Sequence, residues 1–401
     1  MAQGTQEQAI TRVAFTLLGD GVGTGVYNYL VNLLVAVGTY AADQLQPVLF
    51  VGNEATDAEL AAFRANPHVE IVRCDAFDRR RKSLRLAAAV LTGIDGEAAR
   101  SFREHRIDAV FESATFFGRR LSLPVIAWVP DFQHRHLRGL FSAAAYWKRE
   151  MGFRSQVSAG RLMMLSSHDA RNDCEHFYPT TRGRTAVVHF SVPVDRSVLE
   201  QDPSSVACEY GLPERYFYLP NQFWKHKNHG VVIEALDLLQ QRGIACVVAT
   251  TGKAGDSRHP QYYNELQAMV AARGLQESFR FLGLVPRAHV FGLLRGCAAL
   301  INPSRFEGWS TPVEEARSLG VPMLLSDLAV HKEQMGAMAK FFAPQSASQL
   351  ASLLENHPQQ SPAERRRIEL ASIDSSQSRV ESFGRDFLAT VQQAVSLAAR
   401  S

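Results

Sequence analysis

Ser304-Arg305-Phe306-Glu307-Gly308-Trp309-Ser310-Thr311-Pro312-Val313-Glu314-Glu315-Ala316 is the stretch that decides how this 401-residue chain is read. It follows the apolar run Ala299–Asn302 and opens a helical pattern, so it reads as strand, loop and helix. Thr311 is the expected N-cap, with Pro312 at the first helical position and Glu314 three residues after the cap, a capping box. That accounts for Glu314 structurally. Glu315 points to a different side of the helix, and Glu307 lies in the loop before it. A helix N-terminus with free N–H groups and the flexible Gly308 favours a pyrophosphate, while two carboxylates accept hydrogen bonds from sugar hydroxyls. The pattern points to a nucleotide diphosphate sugar, with Gly308, Trp309, Ser310 and Thr311 lining the phosphate side.

Upstream, the strand Tyr216–Asn221 runs into Gln222-Phe223-Trp224-Lys225-His226-Lys227-Asn228-His229 and then a helix. A lysine at the end of such a strand can neutralise a diphosphate and the charge that develops as it leaves. Lys227 is the candidate for that work, with Gln222 and Lys225 beside it.

Short β-branched and aromatic runs alternate with helical patterns along the whole chain, the mark of β-α-β units and parallel sheets. The runs form two sets. The Pro- and Ser-bearing stretch Val192–Pro213 separates them, giving domains over 1–195 and 196–380. A closing helix over 381–401 carries apolar residues at helical spacing and is placed back on the first domain. The expected fold class is α/β, two Rossmann-like domains facing across a cleft.

In the first set, the strand Arg12–Leu18 leads into Gly19-Asp20-Gly21-Val22-Gly23-Thr24-Gly25 and an apolar helix face of Val26, Tyr29, Leu30, Leu33, Leu34 and Val37. Gly23, Thr24 and Gly25 would let the backbone approach a ligand. The spacing fits no register of G-x-G-x-x-G, which disfavours a dinucleotide-dependent dehydrogenase. The strand Val125–Val129 ends in Pro130-Asp131-Phe132-Gln133-His134. Ligands collect at the carboxyl ends of parallel strands, so Asp131 and His134 are the acceptor-side candidates, with Glu112 weaker. Arg79-Arg80-Arg81-Lys82, with Arg85 beyond, suits an anionic lipid-linked acceptor or a membrane surface, and equally a solvated helix start.

Composition fits this reading. The apolar fraction is 46%, the charged fraction 21% and the net charge +3, values of a globular protein with no demand for nucleic acid. Five scattered cysteines show no C-x-x-C spacing, so neither a disulfide scaffold nor a zinc site is expected, and a cytoplasmic location is favoured. Met1–Ile10 lacks the features of a signal peptide, and the apolar run Tyr29–Ala42 is too short to span a bilayer.

The two-glutamate segment, with Leu319-Gly320-Val321-Pro322 and Ser326-Asp327 after it, resembles the retaining glycosyltransferases of family 4, which have the GT-B fold. The resemblance implies transfer of a hexosyl group, mannose or a related sugar, from a nucleotide diphosphate sugar to a saccharide or lipid-linked acceptor, giving an α-glycoside. It places Glu307 and the amides after it at the donor sugar and Glu315 at the ribose hydroxyls. Lys227 matches the family's lysine, but Gln222 stands where the family has arginine, and Pro130 where many members have histidine. Phe281–Leu284, with Val285 and Pro286, resembles the loop beside the nucleotide base. No Asp-x-Asp pair occurs, so no metal and no cofactor is expected. The general look of Asn221–His229 and Pro130–Leu137 suggests bacterial polysaccharide or lipopolysaccharide assembly, with peripheral contact at the inner face of a membrane. A sugar-nucleotide epimerase and a non-catalytic nucleotide-binding subunit are the alternatives.

Overall fold

The computed structural model describes residues 10–17, 25–113, 115–256 and 258–400. Gly23 and Thr24 of the glycine turn lie outside the described residues; Gly25 begins the helix Gly25–Tyr40. The chain divides into two compact units. The first comprises Met1–Phe132, Ala144–Ser191 and Ser378–Ser401, the second Gln133–Ala143 and Val192–Gln377. The short segment Gln133–Ala143, read from sequence with the first domain, groups with the second.

The first unit's sheet contains β1 (Thr11–Thr16), β2 (Leu45–Val51), β3 (Glu70–Arg73), β4 (Ala109–Ser113), β5 (Val125–Val129), β6 (Leu162–Leu165) and β7 (Thr185–Val187). Their order is β3-β2-β1-β4-β5-β6-β7, and every pair is parallel. All residues of β4 and β5 are buried, which is why these strands read as unbroken apolar runs and not as alternating ones. Residues of the closing helix Pro362–Ala399 take part in this core. Phe387 lies 5.8 Å from Phe15 and 5.6 Å from Phe111, ring centre to ring centre.

The second unit's sheet contains β8 (Phe217–Leu219), β9 (Val248–Thr251), β10 (Phe279–Gly283), β11 (Leu300–Asn302), β12 (Met323–Ser326) and β13 (Lys340–Phe342). Their order is β10-β9-β8-β11-β12-β13, again all parallel. Successive strand residues alternate between two cores. Phe217, Leu219, Ile301 and Leu324 pack with the helix His229–Gln241, and Tyr218, Leu300, Met323 and Leu325 pack with Leu293, Val313 and Ala316 on the other face. A sheet covered on both faces leaves only its strand ends for ligands. The order reverses direction between β8 and β11, so the loops leaving these two neighbours diverge and open a crevice at their carboxyl ends. Among the described residues no helix is long and apolar enough to cross a membrane.

Candidate functional site

Two segments far apart in sequence meet at the β8/β11 crevice. After β8, Lys225–Lys227 forms a tight 3₁₀ turn that ends in Asn228, a residue with φ 60° and ψ 37°. Asparagine tolerates this left-handed conformation better than most residues. The Asn228 amide nitrogen donates to the carbonyls of Pro303 (3.0 Å) and Pro344 (2.7 Å), and its oxygen accepts from Arg305 Nε at 3.0 Å. The Arg305 N–H also donates to the His226 carbonyl at 2.8 Å. Asn228 therefore clamps the basic turn to the loop after β11.

That clamp brings Lys227 to Glu307. Lys227 Nζ lies 2.6 Å from Glu307 Oε1, and the two side chains are only 11% and 9% exposed. An ion pair so shielded from water has a far stronger Coulomb interaction than a surface pair. The Ser304 hydroxyl lies 2.6 Å from the same carboxylate oxygen and 2.7 Å from Asn302 Oδ1, so its single proton serves one acceptor at a time. Asn302 and Asn221, buried at the ends of β11 and β8, face one another at 3.3 Å. Ser326, at the end of β12, donates to the Ser304 carbonyl at 2.6 Å. Three neighbouring strand ends thus hold the Glu307 loop.

The helix after the loop spans Thr311–Ser318 and differs from the expected capping box. Ser310 is the N-cap, Pro312 is the second helical residue, and no side chain caps the helix. The Ser310 hydroxyl instead accepts from Asn302 Nδ2 at 2.7 Å, and Gln334 Nε2 donates to the Ser310 carbonyl at 3.0 Å and to Glu314 Oε2 at 3.1 Å. The helix thus starts one residue earlier than expected, with Thr311 already inside it, and the strand end holds the hydroxyl of the residue that does sit at the cap. Gly308 and Thr311 are half-buried and Trp309 is nearly buried along this approach. Glu315 sits in the same helix and is 7% exposed; burial raises its carboxyl pKa above the ordinary value, opposed by Arg287, whose Nη1 is 3.4 Å away. Val285 is half-buried at the edge of the same core.

Gln222 is occupied differently from an anion-binding arginine: its Oε1 accepts the Lys253 N–H at 2.7 Å, tying the β8 and β9 loops together. Gly252 is required beside it, because a Cβ there would stand 2.5 Å from the Asn221 carbonyl oxygen. Lys225 is half-buried in the 3₁₀ turn. Behind the site, buried His331 has Nδ1 at 2.9 Å from the Ser326 carbonyl, and burial lowers its pKa while nearby Glu307 opposes that.

The acceptor-side candidates separate. Asp131 belongs to the first unit and accepts from Arg149 Nη2 at 2.6 Å. His134 is fully buried within the second unit, in the single turn Gln133–His136. The next histidine, His136, stacks on Phe306 at 5.0 Å, directly before Glu307. Glu112 is buried with Arg161 Nη2 at 3.4 Å and accepts from the Phe117 N–H at 2.9 Å, the surroundings of a structural carboxylate. The basic cluster is also largely committed. Arg79 pairs with Glu59, Arg80 with Asp78, Arg81 with Glu97, and buried Arg85 with Asp95 at 2.7 Å.

Sequence reasoning missed Asn228, Ser304, Asn302 and Arg287. Asparagines ending two apolar strands were the available signal for Asn221 and Asn302; Arg287 gave none, because only folding brings it to Glu315.

Residues 211–371 match the family model described as glycosyl transferases group 1. No curated protein matches the chain in sequence. Among solved structures, a glycosyltransferase from Rickettsia africae is similar with TM-score 0.68 and 14% identity, covering 96% of this chain and 99% of its own. Anabaena Alr3699/HepE in complex with UDP and glucose gives TM-score 0.66 and 14% identity, covering 98% and 100%. WaaG, a glycosyltransferase involved in lipopolysaccharide biosynthesis, gives 0.58 and 15%, covering 97% and 100%. At such identities the likeness is one of fold. The chain has the GT-B fold of these glycosyltransferases, and its segment 211–371, which holds Lys227, Glu307 and Glu315, matches the group 1 family model.

Proposed function

We propose that the chain is a retaining glycosyltransferase that moves a hexosyl group from a nucleotide diphosphate sugar to a saccharide or lipid-linked acceptor, forming an α-glycoside. The observation that carries this reading is the Lys227–Glu307 pair at the β8/β11 crevice, inside the segment matched by the group 1 model. Lys227 supplies an ammonium group at the diphosphate and stabilises the charge that grows on the leaving phosphate. Glu307 and the amides of Gly308 and Trp309 meet the donor sugar, and the uncapped start of the helix Thr311–Ser318 faces the phosphates. Glu315 accepts hydrogen bonds from the ribose hydroxyls; a buried acceptor of this kind discriminates against analogues lacking them. Gln222, Lys225 and Val285 complete the donor side; Asp131, in the first unit, is the acceptor-side candidate, whereas fully buried His134 is not. Neutralisation by Lys227 and helix ends needs no metal and no cofactor. A place in surface-polysaccharide assembly on the cytoplasmic side of a membrane fits this chemistry.

A thermal-shift panel of UDP, GDP and ADP sugars tests the reading, since the matching donor raises Tm most by mass action. UDP is the first base to try, because the Anabaena neighbour was solved with it. Incubation of the matching donor with acceptor panels, read by NMR of the new anomeric proton, should show an α-linkage. Absence of any shift by all three bases sinks the proposal, and an epimer formed from donor alone would replace transfer by epimerisation.

A further inference from the structure

The helix Lys82–Leu91 in the first unit is built inside out. Its inward residues are Arg85 and Ala89. Arg85 Nη1 donates to the Ala76 carbonyl at 2.7 Å, its Nη2 pairs with Asp95, and its guanidinium lies 4.5 Å over the Phe77 ring. A polar anchor thus holds the helix, and the leucines point to water: Leu84 is 73% exposed, Leu86 44%, Val90 60% and Leu91 84%. At about 100° per residue, 86, 90, 83, 87, 91 and 84 follow one another around the side opposite Arg85. Apart from Ser83, that face is wholly apolar. Single exposed leucines are ordinary, but a contiguous apolar helix face marks an interaction surface.

The charges at the ends of the face say what covers it. Lys82 is exposed at the N-terminal end. At the C-terminal end Arg119 and Arg120 are exposed; the Arg120 N–H donates to the Gly93 carbonyl at 2.7 Å, just beyond Leu91. None of these three cations has a carboxylate partner among the described residues. A second copy meeting this face about a twofold axis would set like charges against one another, and a helix about 15 Å long offers far less than the roughly 800 Å² per partner of a stable interface. A bilayer with anionic headgroups accommodates both the apolar face and its cationic ends. We propose that the helix Lys82–Leu91, with Lys82, Arg119 and Arg120, seats the chain on an anionic membrane surface.

Co-sedimentation of the purified full chain with vesicles tests this. Phosphatidylcholine–phosphatidylglycerol vesicles should pellet the protein, phosphatidylcholine alone should not, and about 0.5 M salt should weaken binding. L84Q/L91Q is expected to lower the bound fraction at least about tenfold with Tm and nucleotide-induced shift unchanged. Undiminished binding by L84Q/L91Q, or no preference for the anionic vesicles, overturns the proposal. So does a wild-type dimer that L84Q/L91Q converts to monomer without any vesicle binding. Should L84Q/L91Q melt early, K82E/R119E, at solvated positions, decides alone: lost binding supports the proposal and retained binding overturns it.

Discussion

Lys227 Nζ and Glu307 Oε1 are 2.6 Å apart across 80 residues of sequence, at the ends of neighbouring parallel strands. Each side chain neutralises the other in a nearly dry place, so the pair ties the two strand-end loops together as a unit.

Lys227→Ala should lower turnover about 100- to 1,000-fold while acceptor KM changes little, because the ammonium acts where charge develops. The substitution also strands the Glu307 carboxylate. Adding Glu307→Gln should therefore restore much of any lost Tm without restoring kcat. Steady-state rates and melting curves on the three variants check both parts, and near wild-type turnover in Lys227→Ala refutes the assigned role.

Asn228 combines a left-handed backbone with donors to two carbonyls. Asn228→Ala should cost about 1–3 kcal/mol, through backbone strain and carbonyls left without donors. Asn228→Gly should recover only the strain component. Urea unfolding of the pair distinguishes these contributions; identical stability of the Ala and Gly variants argues against strain at this position.

Burial raises the Glu315 pKa, and Arg287 opposes it. A folded-state pKa above the unfolded value of about 4.3 means that the folded chain gains stability below that window and loses it as pH rises through the raised pKa. Donor binding to the ionised carboxylate runs the opposite way and strengthens as pH rises. Glu315→Gln should flatten both limbs, and Arg287→Ala should move them to higher pH. Calorimetric titration of the nucleotide across pH, paired with unfolding, tests the signs.

His229 is fully buried, stacked on Phe223 at 4.8 Å, and burial pushes its pKa down to about 3. An unfolded histidine takes its proton near pH 6.5, so stability is lost as pH falls from there towards 3, at about 1.4 kcal/mol per pH unit. His229→Phe should remove one proton from that slope, leaving the smaller shares of His331 and His357, whose pKa values are also lowered by burial. An unchanged slope would show that His229 is protonated in the folded chain.

Glu112 and Arg161 are buried together in the first unit. Arg161→Met should destabilise by about 3–5 kcal/mol because it leaves an uncompensated charge, whereas Glu112→Gln with Arg161→Met should recover most of that loss. A double variant no more stable than Arg161→Met would show that the two residues are not coupled.

The doubled α/β pattern, the parallel strands and the two-glutamate loop were legible in the residues, because strand and helix periodicities and Pro or Gly punctuation are local properties. Local rules failed where the tertiary environment offered a competing partner. The helix begins at Thr311 itself, which moves the cap to Ser310, and Asn302 at the adjacent strand end occupies the Ser310 hydroxyl, so no capping box forms. The run Arg79–Lys82 looks like a free basic patch along the chain, yet Glu59, Asp78 and Glu97 neutralise all of it but Lys82, while the leucines just beyond stay in water. Sequence alone specified which residues carry charge and which strands must be buried. Only the order β10-β9-β8-β11-β12-β13 decided that Lys227 meets Glu307 and Arg287 meets Glu315, because pairing between distant segments depends on which strands become neighbours.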